Sequence, residues 1–162
     1  MIVKGDYHLN CSRHNAWRML NDPDVLERCT PGCDQLTVVE PGVFDVTMKV
    51  GIAAISGTYK GVMELRNLEP ARAYKIIVHG RGPIGTMEIQ ADIDLEEVPS
   101  GTDVTYEGEA KIGGVMAGLG QRALGPIAKF LVKQFFDKLS KEVLAATCDS
   151  TQGRFGLETE IL

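Results

Sequence analysis

The chain lacks most of what a nucleic-acid-binding, membrane-spanning or metal-dependent protein needs. Acidic residues outnumber Lys and Arg by 22 to 17, a net charge of −5 over 162 residues. That balance excludes the concentrated basic surface that phosphate backbones require, and it weakens purely electrostatic attachment to anionic lipid. No run of about 18 apolar residues is present, so no segment is expected to cross a bilayer as a helix. The opening Met1-Ile2-Val3-Lys4-Gly5-Asp6 has no signal-peptide apolar region. The expected compartment is the cytoplasm, where thiols stay reduced. Cys29 and Cys33 have a C-x3-C spacing, but neither Cys11 nor Cys148 brings a second Cys or His at ligand distance along the chain. Zinc is therefore not expected, and the pair is read as part of a structural loop.

What the chain does have is alternation. In Met87–Glu96 every odd position is apolar and every even one polar, and in Val104–Ile112 the even positions are apolar or Gly. A period of two places one face of a strand in water and covers the other. The covered face carries no carboxylate, histidine or cysteine, which suits an apolar container better than a reaction chamber. Strands are expected at Ile2–Leu9, Leu36–Glu40, Val43–Val50, Gly57–Leu68, Ala73–Gly80, Thr86–Val98 and Asp103–Ile112. The turn sequences Glu40-Pro41-Gly42, Glu69-Pro70-Ala71-Arg72 and Pro99-Ser100-Gly101 make the links short enough for an antiparallel meander. Between the first two strands, Ser12 is expected to cap one short helix, and Asp22-Pro23 to start a second.

Gly80-Arg81-Gly82-Pro83-Ile84-Gly85 matches G-x-G-x-x-G literally. A dinucleotide fingerprint needs a helix starting inside the motif. A long period-two run follows instead, so the glycines are read as turn positions. A second Gly-rich stretch, Gly113–Gly120, leads to the C-terminal helix. A first helical piece is expected near Met116–Leu124, then a kink at Gly125-Pro126, because proline removes a helical hydrogen bond. A continuous helix of about 21 residues should follow from Pro126 to Ala146. Its apolar positions Ile127, Leu131, Phe135 and Leu139 recur at helical spacing. Residues 1–147 read as a single domain, with a short acidic tail over 148–162 expected to fray.

This order of elements resembles the helix-grip, or START-like (SRPBCC), fold. It is an α+β architecture in which an antiparallel sheet of about seven strands wraps around a long C-terminal helix, with two short helices after strand 1. Within it, five segments resemble the carbon monoxide dehydrogenase G-subunit (CoxG) family: Trp17–Pro23, Thr30–Cys33, Lys49–Gly51, Gly57–Gly61 and Gly113–Arg122. The resemblance implies a non-enzymatic accessory role to a molybdenum hydroxylase of the carbon monoxide dehydrogenase type. It also implies recruitment or maturation of that enzyme, transient contact with the inner face of the plasma membrane, and handling of a lipophilic quinone or lipid. That cargo would be the only cofactor-like group, with none bound covalently or through metal.

In such a fold the helix closes over the concave sheet face. Alternation assigns to that face Val46 and Met48, Met63 and Leu65, Ile76 and Val78, Met87 and Ile89, and Tyr106. Trp17 and Leu20 are expected to close one end, and Ile127, Leu131 and Phe135 to form the roof. The methionines suit a site for a variable apolar chain, since flexible thioethers conform to many shapes. Gly118, Gly120 and Gly125 are expected to form a movable portal. One rival reading is an enzyme of the START-like cyclase or hydrolase type, which needs a general acid or base facing its substrate. His8, His14 and His79 are all expected to face solvent without converging, leaving Tyr106 as the one inward acid. Another rival is a tethering module that holds no ligand.

Overall fold

Ser12 ends β1 (Ile2–Leu9) and starts α1 (Arg13–Leu20) by accepting a hydrogen bond from the Asn15 backbone N–H. This satisfies one of the free donors at the helix start. Asn21 closes α1, and its side-chain amide donates to the Trp17 carbonyl. Asp22 then caps α2 (Pro23–Cys29) by accepting from the Asp24 N–H. Pro23 is harmless at the first helical position, where its missing N–H would have no partner. The Asn-Asp-Pro motif is thus a joint that folds two short helices back on the sheet, burying Met19, Leu20, Val25, Leu26 and Cys29. The structure, a computed structural model, describes residues 1–161, with side chains for residues 1–144 other than residue 53.

The remaining strands are β2 (Cys33–Glu40), β3 (Val43–Val50), β4 (Gly57–Glu69), β5 (Ala73–Gly82), β6 (Gly85–Val98) and β7 (Gly101–Gly113). They form one antiparallel sheet in the order β1-β7-β6-β5-β4-β3-β2. β1 therefore closes on the last strand, and the rest is a meander. The parity expected from alternation holds: Glu88 and Gln90 are exposed, while Met87, Ile89 and Tyr106 lie half-buried on the inner face. Gly82 pairs with Gly85 across the β5–β6 hairpin, so the glycine motif is a turn between strands, with no helix. A short 3-10 turn at Ala53–Ile55, not anticipated, joins β3 to β4.

The C-terminal segment differs from expectation. Gly114–Leu119 forms 3-10 turns, the break falls at Gly120, and α3 (Gly120–Ile161) continues through Pro126. Gly120 has φ +71°, a left-handed conformation that only glycine adopts cheaply, so the chain changes direction there. Pro126 lies in the second turn of α3, where its missing N–H deprives only one carbonyl, that of Arg122. The helix is also longer than the 21 residues expected. The side chains of the expected tail, 148–162, lie outside the described residues.

Most buried side chains fall into two separate clusters. The larger joins α1, α2 and the inner face near the sheet's closed end to Phe136, Leu139 and Val143 of α3. The smaller consists of Ile55, Tyr59, Met116 and Leu124, with Ile84, Ile112, Leu119 and Ile127 packed around it.

Candidate functional site

Between the two clusters the inner sheet face is apolar and half-buried. Cross-strand pairing sets Phe44, Met63, Val78, Ile89 and Ala110 side by side in one row. The next row is Val46, Gly61, Gly80, Met87 and Ile112. Phe44 belongs to the large cluster and Ile112 packs on the small one, whereas Val78, Ile89 and Met87 belong to neither. The same is true of Met48 on β3 and Leu131 on α3, and all five are half-buried.

The second row also contains two glycines. Gly61 and Gly80 face each other on adjacent strands and place no side chain on the inner surface. The Met87 methyl lies 4.0 Å from where a Gly80 side chain would begin, so a flexible thioether covers the bare patch. At Gly61 a Cβ would come within 2.4 Å of the His79 carbonyl. Only glycine lets β4 and β5 approach this closely.

Of the other expected site residues, Leu20 and Leu65 are buried inside the large cluster. Trp17, Val46, Met63, Ile76, Tyr106 and Phe135 are half-buried against its edge, and Ile127 packs on the small cluster. The expected site residues therefore divide into a floor shared with packed core and a half-buried centre outside both clusters. Gly118 and Gly120 are exposed and would have no neighbour within 4 Å of an added Cβ. Gly125, half-buried in α3, has only the Gln121 side chain nearby. Val115, on the same Gly-rich stretch, is 74% exposed.

One residue of this face escaped the alternation reading. Tyr74 has the same parity as Ile76 and Val78, and it is buried. Trp17 meets its ring edge-on, with centroids 5.3 Å apart. The Tyr74 hydroxyl makes no hydrogen bond among the described residues, yet it is not among their sealed, unpartnered polar atoms. Burial pushes its pKa up, so it stays a neutral donor. Its strand parity was signal enough to find it.

Acid–base chemistry has little to work with here. His8 is exposed and 2.7 Å from Asp103, while His14 and His79 are exposed elsewhere. The Tyr106 hydroxyl lies against Gly5 of β1, and its ring stacks on Phe136 at 6.1 Å. Burial, with Asp6 nearby, raises its pKa. Cys29 is fully buried, and its thiol is pushed up to about 11 by that burial. A thiol in that state is a poor nucleophile at neutral pH.

No described helix is long and apolar enough to cross a membrane. No curated protein matches the chain. Among solved structures, a conserved protein from Geobacillus kaustophilus is 33% identical, with 90% of this chain and 97% of that one covered at a TM-score of 0.87. A START superfamily protein from Mycobacterium smegmatis is 10% identical, covering 90% and 98% at a TM-score of 0.71; that likeness speaks to fold alone. Residues 5–144 match the family model of the carbon monoxide dehydrogenase G-subunit (CoxG). With its START-like fold and a match over most of its length, the chain belongs to the CoxG family, whose members are accessory rather than catalytic components of carbon monoxide dehydrogenase systems.

Proposed function

We propose that this protein binds a hydrophobic molecule, a lipid or isoprenoid quinone, between the inner sheet face and α3. In doing so it helps recruit or mature a carbon monoxide dehydrogenase-type molybdenum hydroxylase. The observation that carries this reading is the band of Met48, Val78, Met87, Ile89 and Leu131, apolar and inward yet part of neither packed cluster. Protein interiors are close-packed, so half-buried apolar side chains facing inward outside both clusters are suited to a guest. Two flexible methionines let the site accept chains of varied shape. Tyr74 adds one neutral donor, which suits the carbonyl of a quinone head or the ester of a lipid. Access past the Gly-rich stretch is favoured by its exposed glycines and by Val115. Peripheral contact with a membrane, where such cargo resides, fits the same end of the molecule.

Organic extraction of the purified protein, followed by mass spectrometry, is expected to yield a quinone or lipid. Met87→Lys is expected to abolish isoprenoid-quinone binding, since an unpaired ammonium would be buried beside the chain. Unchanged affinity in a folded Met87→Lys protein would place the ligand elsewhere. An empty extract together with no quinone binding by the parent would leave a ligand-free tether as the better account.

A further inference from the structure

The opposite face of the same sheet is hollowed into a groove of about 740 Å³. Two cross-strand rows of outward parity supply most of its side chains, and Val46, Gly61, Gly80 and Met87 of the row between them complete the lining. One row runs Gln35, Thr47, Lys60, Arg81, Thr86, each paired with the next across five strands. The adjacent row is Thr37, Asp45, Val62, His79 and Glu88.

The first row contains an anomaly. Lys60 and Arg81 stand directly opposite each other, both exposed, and neither has an ion pair or side-chain hydrogen bond among the described residues. Like charges directly opposite on a sheet destabilise it, and nothing in the fold requires two cations here. Every other charged side chain in the groove has a different setting: His79 lies 3.7 Å from Glu88, and Asp45 faces Val62.

We propose that this groove binds the phosphate of a small phosphomonoester across Lys60 and Arg81. A phosphomonoester carries roughly −1.5 to −2 charge at neutral pH and three acceptor oxygens. That matches two cations flanked by the hydroxyls of Thr47 and Thr86 and the amide of Gln35, whereas a carboxylate offers one charge and two oxygens. Lysine and arginine with hydroxyl donors are the ordinary means of holding phosphate. The groove is far larger than a phosphate and falls in the range of small-molecule sites, so the body of the ligand extends over the second row. Asp45 and Glu88 there repel a second anionic group and accept from hydroxyls or an amine. The ligand therefore bears a single phosphate on a polar body. Arg81 belongs to the literal G-x-G-x-x-G match, so the motif contributes its arginine rather than its glycines.

Isothermal titration of the full-length protein with ribose 5-phosphate tests this. The parent is expected to bind, with Lys60→Gln and Arg81→Gln each weakening affinity about ten-fold or more. Both side chains are exposed and repel one another, so the variants are expected to stay folded and melt no lower than the parent. Vesicles containing phosphatidic acid distinguish the source of the phosphate. Binding to vesicles alone, lost in both variants, assigns the same site to a lipid headgroup. No binding to either probe, or binding that both variants retain, overturns the proposal.

Discussion

The two ends of the apolar band are closed very differently. At one end 17 buried residues join both short helices, the sheet and the middle of α3. Arg28 of α2 pairs with Glu142 through two hydrogen bonds of 2.8 and 3.1 Å, and the Tyr7 hydroxyl of β1 donates to Asp137. At the other end four buried residues suffice, and the backbone over them is 3-10 turn and glycine. Local stability follows buried apolar contact and protected hydrogen bonds. One end is therefore scaffold, and the lightly packed end is where local opening short of unfolding is expected.

The sharpest test of that contrast is a matched pair of truncations. Leu139 is completely buried in the large cluster, so Leu139→Ala is expected to cost about 2–5 kcal/mol in denaturant-induced unfolding. Leu124→Ala, in the small cluster, is expected to cost less globally. Its main effect should appear in hydrogen exchange over 114–131, which becomes faster while β6 and β7 keep their protection. Equal global losses from the two substitutions would erase the distinction between scaffold and opening end.

Acid probes the scaffold end alone. Hydrogen bonds from Lys133 and Tyr7 hold the Asp137 carboxyl below its usual range, and Arg28 does the same for Glu142. A carboxylate whose folded pKa is depressed contributes stability above its unfolded value, near pH 4, and loses it as pH falls through the folded value. The expected result is a fall in stability below about pH 4 that Glu142→Gln reduces. For this half-exposed pair the effect should stay below about 1 kcal/mol at higher pH. Unfolding free energies measured between pH 3 and 7 on parent and variant check it; identical curves would mean that the pair does not pin α3.

The contrast between ends was only partly legible in the sequence. Alternation in β6 and β7 was enough to assign faces, since a one-residue slip would have put Glu88 and Gln90 in the core. Ser12 and Asp22-Pro23 announced both short helices, because capping is local chemistry. β2 was expected to begin at Leu36, three residues late, because Leu36 is its only buried residue and the strand shows no alternation. Pairing of the Lys49 N–H with the Gly32 carbonyl is what extends it. The break was expected at Gly125-Pro126, where proline's cost is visible in sequence. It falls at Gly120 because a left-handed residue reverses the chain more effectively than a proline early in a helix. The outer groove could not be read at all: parity says which side chains meet water, but the hollow depends on the register of five strands.

The opening end yields the smallest and most discriminating prediction. Of the three glycines expected as a portal, Gly120 cannot be tested cleanly, because its φ of +71° would strain any side chain and confound gating with misfolding. Gly118 has open space around it, and Gly125 meets only a flexible Gln121 methylene at 3.9 Å. Gly118→Ala and Gly125→Ala together are therefore expected to keep the fold and add about 0.4–1 kcal/mol each, chiefly by restricting the unfolded chain. The same restriction acts on the locally opened state, so opening becomes rarer. If cargo enters by that opening, a quinone should exchange more slowly between protein and liposomes while its equilibrium affinity barely changes, since neither glycine belongs to the apolar band. Stopped-flow transfer measures both quantities on the same sample. Exchange as fast as the parent's, in a double variant of raised stability, would mean that cargo passes elsewhere and that the light cluster is only a thin part of the core.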